Sequence, residues 1–285
     1  MIFLFYLFIF LFGSAIGSFL NVVICRLETG EGIVKKRSHC PKCGQTLVWY
    51  DLIPIVSFFL LRGRCRDCKE KISWQYPLVE AATGALFVGI FNFQFSISNE
   101  FSISNFQILN LITFCYLLIV VCCLIIIFVY DLRHYIIPDK VLWPAVGATL
   151  VYRIFYAFTE FNSNNPSVPP LNLRGGWVGL YPFVFSAFVA AVFFAFLVLI
   201  TRGRGMGIGD IKLAFLMGLM LGWPQILLAL FLAFAGGAAI GVGLIFAGHK
   251  TMKSQIPFGP FLIAGALAAL FWGQELIAWY LSFIS

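Results

Sequence analysis

Charged residues are scarce in this chain. Lys and Arg number 19 and Asp and Glu 12, together 11% of the 285 residues, whereas hydrophobic residues make up 61%. Soluble proteins carry about 25% charged residues, so the composition excludes a soluble globular domain. The mean hydropathy of +0.96 and the 33 phenylalanines suit a lipid-facing surface. The sequence therefore predicts a polytopic membrane protein.

The apolar runs also lack the period-2 alternation of β-strands, and continuous apolar runs in lipid indicate helices. A span needs about 17–25 residues. The candidate spans are 2–24, 77–95, 108–130, 139–158, 178–201, 211–222, 225–247 and 258–283. The sixth is short, and only three residues, Gly222 to Pro224, separate it from the seventh. We expect an all-α membrane protein with about eight transmembrane helices.

Basic residues are distributed unevenly among the connections. Ten of the 19 lie within 25–76, and seven more lie in or beside the third-to-fourth, fifth-to-sixth and seventh-to-eighth connections. Only Arg153 and Arg174 fall on the other side. The positive-inside rule then places the basic loops in the cytoplasm and both termini outside. This bias and anionic lipid account for the net charge of +7 without nucleic acid as a partner.

No basic residue precedes the first apolar run, which favours a retained span over a cleaved signal peptide. The predicted organisation is a first transmembrane helix (1–24), a small cytoplasmic module (25–76) and a transmembrane domain (77–285). A glycine-rich Rossmann fingerprint is absent, so the residue pattern alone gives no site for a nucleotide-like cofactor.

The module contains two CxxC knuckles, which comprise Cys40, Cys43, Cys65 and Cys68. Each knuckle can place two thiolates on one ion, and two knuckles complete the closed tetrahedral site of a structural zinc. Gly44 permits a tight turn beside the sulfurs. Disulfides and a redox CxxC are the alternatives; the cytoplasm disfavours the first, and a doubled CxxC fits zinc better than the second.

Two aspartates interrupt the apolar pattern. Asp131 directly follows the uncharged run 108–130, and Asp210 ends the sequence Gly207-Ile208-Gly209-Asp210 at the start of another apolar stretch. A carboxylate costs about 2.5–3.5 kcal/mol at the centre of a bilayer and less near its edge. The predicted topology places both aspartates at the cytoplasmic edge, which suggests paired acid/base chemistry.

Such a pair can hydrolyse an amide when one carboxylate is ionised and the other holds a proton. The ionised group takes a proton from water, and the protonated group polarises the scissile carbonyl. Gly207 and Gly209 would let a substrate backbone approach Asp210. Helix capping is the alternative for either aspartate: it suits Asp210 at a helix start, and it explains Asp131 less easily, because the macrodipole is unfavourable to an anion at a helix end. A third candidate, Asp139, is predicted to be the N-cap of the fourth span.

In order along the chain, these motifs resemble those of the type IV prepilin peptidases. The matching segments are 17–24 (GSFLNVVI), the two CxxC knuckles, 76–80 (YPLVE), Asp131 with 136–139 (IIPD), 207–213 (GIGDIKL) and 257–261 (PFGPF). The resemblance implies an aspartic endopeptidase of the bacterial cytoplasmic (inner) membrane. Its active site would face the cytoplasm and cut the short basic leader from prepilins or pseudopilins.

The resemblance also implies roles for individual residues. Asp131 and Asp210 would be the catalytic pair, and Asp139 and Lys212 would support them. Glu80 is a candidate for docking the basic leader, because the cytoplasmic face is otherwise basic.

Many bacterial members of the family also N-methylate the new terminal residue with S-adenosylmethionine. Asn21, Glu80 and the module are the candidates for that second activity. The alternatives are a peptidase without methyltransferase activity, a proton-coupled transporter that uses the carboxylates near the midplane, and a zinc-anchored scaffold in which both aspartates are dispensable.

Overall fold

The fold is known from a computed structural model that describes residues 2–29, 37–97, 105–162, 177–202, 206–248 and 256–283. Some residues on which the predicted topology depends lie outside the described ranges. They are most of the connections 96–107 and 161–176 and the basic residues Lys35, Lys36, Arg174, Arg204, Lys250 and Lys253. The described chain forms two compact units, Met1–Ile126 and Ile127–Ser285.

Unit 1 contains two membrane helices that pack on each other and the cysteine module that connects them. Its helices are α1 (Ile2–Thr29), the short α2 (Val56–Leu60), α3 (Gln75–Ile97) and the first part of α4 (Asn105–His134). Helices α1 and α3 pack closely because small residues face each other: a Cβ at Gly84 would lie 2.8 Å from the carbonyl oxygen of Phe10, and one at Gly17 would lie 2.8 Å from Cα of Glu80. Such contacts hold membrane helices together where water cannot drive association.

Unit 2 contains the end of α4 and five further helices. These are α5 (Asp139–Asn162), α6 (Trp177–Ile200), α7 (Ile208–Leu221), α8 (Gln225–Phe246) and α9 (Gly259–Ser282). Helix α7 lies inside this unit and contacts α5, α6, α8 and α9. A Cβ at Gly218 would lie 2.4 Å from Cα of Ala187, so α6 and α7 are in backbone contact.

Seven helices of the described chain are long and apolar enough to cross a membrane. They correspond to seven of the predicted spans, and the all-α prediction is confirmed. The eighth predicted span is α7, which has 14 residues and is only about 21 Å long. It is shorter than the bilayer core of about 30 Å. Because α7 is enclosed by protein, its length need not match the bilayer.

A buried arginine fixes the C-terminal end of α7. The Arg153 side chain donates hydrogen bonds to the carbonyl oxygens of Leu219 (3.2 Å) and Met220, and its guanidinium lies 3.4 Å from the ring centre of Phe183. A cation is favourable at a helix C-terminus, where carbonyl groups lack helical partners. This explains why Arg153 lies on the side of the chain that has few basic residues.

Candidate active site

Asp131 lies in the last turn of α4 and is 4% exposed. Its Oδ2 is in contact with the start of α9, because a Cβ at Gly259 would lie only 2.5 Å from it. The backbone N–H of Gly259 interacts with this carboxylate, but no donor in the described chain completes a full hydrogen bond to Oδ2. A helix N-terminus favours an anion, so α9 supports the carboxylate without neutralising it.

Asp210 lies in the first turn of α7 and is 7% exposed. Its Oδ2 accepts a hydrogen bond from the backbone N–H of Gly207 at 3.0 Å, and its own N–H donates to the carbonyl of Gly207. Asp210 therefore does contribute to capping α7, as the alternative interpretation proposed. Oδ1 accepts no hydrogen bond from the described residues, so this oxygen remains available to a water molecule or a substrate.

Unit 2 brings the two aspartates together although 79 positions separate them in sequence. Their carboxylates are close enough to interact electrostatically. The segment after α4 also packs on the start of α7, since a Cβ at Gly209 would lie 3.0 Å from Cβ of Ile137. Neither carboxylate pairs with a cation within the described residues. Two buried carboxylates that interact without a counter-ion resist being ionised at the same time.

The two glycines before Asp210 have different surroundings. A Cβ at Gly207 would meet nothing closer than 3.8 Å, so space is open there for an approaching backbone. Gly209 instead makes room for Ile137, and its lack of a side chain serves packing. A substrate backbone can therefore approach at Gly207, as predicted. At Gly209 the space is taken by Ile137.

Asp139 and Lys212 bind each other at the edge of the site. The Lys212 Nζ donates to both carboxylate oxygens of Asp139, at 2.7 and 2.8 Å. Asp139 is the first residue of α5, and Pro138 provides the carbonyl that accepts the first helical hydrogen bonds. The prediction that Asp139 is an N-cap is therefore wrong: its carboxylate joins α5 to α7.

The ion pair is partly exposed, with 32% of the Lys212 and 55% of the Asp139 side chain accessible. Exposed pairs contribute about 0.2–1 kcal/mol. We therefore expect Lys212→Met and Asp139→Asn each to lower the cleavage rate less than about tenfold. The loss in the double variant, expressed as a free energy, should not exceed the sum of the two single losses, and the coupling energy should be below about 1 kcal/mol. Rates and thermal unfolding of the four proteins test this; a loss as large as that of a catalytic residue would contradict it.

The four cysteines of the module form one cluster in unit 1. Their Sγ atoms all lie within 4.8 Å of one another, and Cys40 and Cys68 are 3.9 Å apart. Tetrahedral zinc with bonds of about 2.3 Å places its sulfurs about 3.8 Å apart. The cluster can therefore hold a metal ion.

Both knuckles fold by the same backbone pattern. In the first, the N–H of Gly44 donates to the carbonyl of Cys40; in the second, the N–H of Lys69 donates to the carbonyl of Cys65. The fourth residue after the first cysteine of each knuckle has a left-handed conformation, with φ of 72° at Gly44 and 59° at Lys69. The predicted role of Gly44 in the turn is consistent with this geometry, and Lys69 adopts the same conformation at a steric cost.

The electrostatics of the cluster suit a cation. The backbone N–H of Cys43 lowers the pKa of the Cys40 thiol to about 7, against the effect of burial. At Cys68 the N–H of Glu70 acts in the same direction, but desolvation and the neighbouring thiols raise the pKa to about 12. The crowded sulfurs cannot all ionise by themselves, so a bound cation is required to hold four thiolates together.

Asn21 and Glu80 are buried inside unit 1 and already hydrogen-bonded. The Asn21 side chain donates to the carbonyl of Tyr76 at 3.2 Å and accepts from the Gln75 side chain at 3.4 Å. Glu80 Oε2 accepts the backbone N–H of Ile55 at 2.7 Å. The Asn21 contacts join α1 to α3, and the Glu80 contact joins α3 to Ile55 of the module. They do not form a set of free polar groups for a cofactor, so that role stays a prediction.

Two family models match the chain: the bacterial peptidase A24 N-terminal domain over residues 11–93 and the type IV leader peptidase family over residues 118–242. A prepilin leader peptidase/N-methyltransferase of Bacillus subtilis is 32% identical over 96% of both chains. The chain belongs to the type IV leader peptidase family. A protein of the same name from Aeromonas hydrophila is 31% identical over 98% of this chain and 94% of its own. No solved structure is significantly similar.

Membership in this family makes the chain a multi-pass membrane peptidase. The first match covers the whole cysteine module, and the second includes both aspartates, which lie in unit 2. The division into 1–24, 25–76 and 77–285 remains a prediction, because neither the two units nor the two matches have those boundaries.

For this leader peptidase family member, sequence reasoning missed one residue of the site. Gly259 is in contact with Asp131, and the sequence shows it only as part of the motif PFGPF. A glycine followed by proline at a helix start could have indicated a close approach of backbone to another group.

Proposed function

We propose that the chain is an aspartic endopeptidase that removes a short basic leader from prepilins or pseudopilins. The observation that carries the proposal is the pair of buried carboxylates, Asp131 and Asp210, which interact with each other and have no cation beside them in the described chain. A buried charge without a partner destabilises a protein, so its retention indicates function. The similarity to proteins named prepilin leader peptidase/N-methyltransferase supports prepilins as the substrate class.

The reaction needs one ionised and one protonated carboxyl group. Water between them gives a proton to the ionised carboxylate as its oxygen attacks the scissile carbonyl carbon. The protonated carboxyl donates a hydrogen bond to the carbonyl oxygen and stabilises the charge that develops there. Collapse of the tetrahedral intermediate breaks the C–N bond, and the leaving amine takes the proton that came from water. The proton positions belong to the pair and not to either residue alone.

We further propose that cleavage takes place at the cytoplasmic face of the bacterial inner membrane. The distribution of Lys and Arg in the sequence supports this orientation. Asp131 in the last turn of α4 and Asp210 in the first turn of α7 lie at helix ends, as expected for a site at a membrane boundary. A transporter would place its carboxylates near the middle of its spans.

Methyl transfer from S-adenosylmethionine to the new N-terminus is the second proposed activity. It rests on the similarity to proteins named prepilin leader peptidase/N-methyltransferase, and the cofactor would supply the methyl group. The test mixes the purified chain with a prepilin and cofactor carrying a labelled methyl group, and follows leader release and label transfer separately. Release with transfer supports both activities, release alone supports a peptidase only, and absence of release contradicts the proposal.

We propose that the metal of the cysteine cluster is zinc with a structural role. Purified protein should contain zinc, and Cys40→Ser should reduce its content to background because a closed four-thiolate site loses a ligand. The same variant should make the module sensitive to limited proteolysis. Cys115→Ser, which changes an exposed thiol outside the cluster, is the matched control. An intact module and unchanged activities without zinc would show that the metal has no structural role.

A further inference from the structure

The segment that precedes α2 lies beside a membrane span. Glu80 is the sixth residue of α3, and its Oε2 accepts the backbone N–H of Ile55. Five residues of helix correspond to about 7.5 Å, so Ile55 is held next to the second turn of α3. The candidate span of α3 begins at Gln75. The module is therefore in contact with the second turn of the helix that forms this candidate span.

Large apolar side chains at this level are exposed. Leu60 is 77% and Phe59 60% accessible in α2, whereas the neighbouring Phe58 is buried. The Phe58 and Phe59 rings lie 4.9 and 6.3 Å from the ring of Trp74, the residue directly before α3. Phe58 is thus shielded by its contacts, while Phe59, Leu60 and the Trp74 ring itself remain largely exposed. In water this arrangement is costly, and in the boundary region of a bilayer it is favourable.

Positive charge follows the apolar helix directly. Arg62 and Arg64 are both exposed and lie two and four residues beyond the end of α2. Trp74 supplies an aromatic ring at the start of the span, the level at which such rings are enriched. An apolar helix, an aromatic ring and adjacent arginines match the layers of one leaflet, from acyl chains to phosphates.

We propose that residues 53–64 form an interfacial anchor that inserts into the leaflet on the module's side of the membrane. Phe59 and Leu60 contact acyl chains, and Arg62 and Arg64 contact anionic lipid phosphates. The occupant of this surface is the bilayer that α1 and α3 cross, because the Glu80 hydrogen bond and Trp74 place the surface at its level. The cysteine cluster is thereby held against the membrane instead of projecting into solution. This inference requires only that the chain spans a membrane.

Photocrosslinking in a bilayer tests the anchor. The full chain carries a benzophenone amino acid in place of Leu60 and is reconstituted in nanodiscs of phosphatidylcholine and phosphatidylglycerol. The control carries the same group in place of Glu70, which is exposed on the second knuckle. After illumination, mass spectrometry should find lipid adducts at position 60 several-fold above those at position 70. Equal yields at the two positions would overturn the proposal, as would adducts at position 60 with a second copy of the chain or an added prepilin in place of lipid.

A separate variant tests whether the charge of Arg62 attracts anionic lipid to the anchor. With Arg62→Gln in the position-60 protein, the ratio of phosphatidylglycerol to phosphatidylcholine adducts should fall toward the ratio of the two lipids in the disc, and Arg64 accounts for the enrichment that remains. Lys42→Gln removes an equal charge from the first knuckle and should leave the ratio of adducts unchanged. If Arg62→Gln leaves the ratio of adducts as it was, or Lys42→Gln lowers it equally, Arg62 does not bind lipid phosphates at the anchor.

Discussion

Asp131→Asn and Asp210→Asn should each reduce prepilin cleavage by about 10³-fold or more. General acid–base catalysis contributes about 10²–10⁴-fold, and an amide can neither accept the proton of water nor share a proton with the remaining carboxylate. Asparagine has nearly the shape of aspartate. At position 210 its amide oxygen can still accept the N–H of Gly207, so α7 keeps its cap. The cleavage rate with purified protein and a prepilin measures the loss.

The matched control for these variants is Asp139→Asn, which makes the same change at an exposed carboxylate of the same unit. It should lower the cleavage rate less than about tenfold. Both catalytic variants should unfold at or above the temperature of the unmodified chain, because each removes a buried negative charge that has no counter-ion. Full activity in either catalytic variant would show that the pair is not the catalytic centre.

Gly259→Ala should lower the cleavage rate by about 10²-fold although it changes no ionisable group. The new Cβ would lie 2.5 Å from Oδ2 and 3.2 Å from Cγ of Asp131, so the carboxylate must move. Displacement of a catalytic group by about 1 Å can cost about 10²-fold. The decrease should appear mainly in kcat, since Gly259 holds a reacting group in position. Steady-state rates over a range of prepilin concentrations measure it.

Gly147→Ala is the control for this substitution, because a Cβ at that position of α5 meets nothing within 4 Å. It should leave cleavage unchanged, and the higher helix propensity of alanine should preserve or raise stability. If Gly259→Ala is as active as Gly147→Ala, Gly259 does not determine the position of Asp131. If it loses activity only together with its fold, the test should be repeated at a lower temperature, where the folded fraction of both proteins is equal.

The membrane fold and the aspartates could be predicted because lipid constrains the sequence strongly. A helix in hydrocarbon must be long and uncharged, so the spans are visible as apolar runs and Asp131 and Asp210 are visible as interruptions. The cysteine cluster was equally predictable, since two CxxC pairs have few other uses. In each case a local pattern carries the physical constraint.

Other features could not be predicted, because they depend on packing between residues distant in sequence. Nothing local indicates that Gly259 meets Asp131, that Gly209 makes room for Ile137, or that Arg153 binds the end of α7. The short α7 resembled a span because it is apolar. Its apolar residues face protein, and composition does not distinguish burial in protein from exposure to lipid. Asn21 and Glu80 were predicted as cofactor residues from a motif, whereas the hydrogen bonds of Asn21 to α3 and of Glu80 to Ile55 required the fold.

The central claim is that Asp131 and Asp210 activate a water molecule that cuts the leader. A single-turnover reaction in H₂¹⁸O, with enzyme in excess over prepilin, tests it most directly. We expect the released leader to carry one ¹⁸O in its new carboxylate, and we expect neither asparagine variant to release a leader at a comparable rate. A leader that contains only ¹⁶O would indicate covalent attack by a carboxylate and would contradict the account, as would release by either variant at the rate of the unmodified chain.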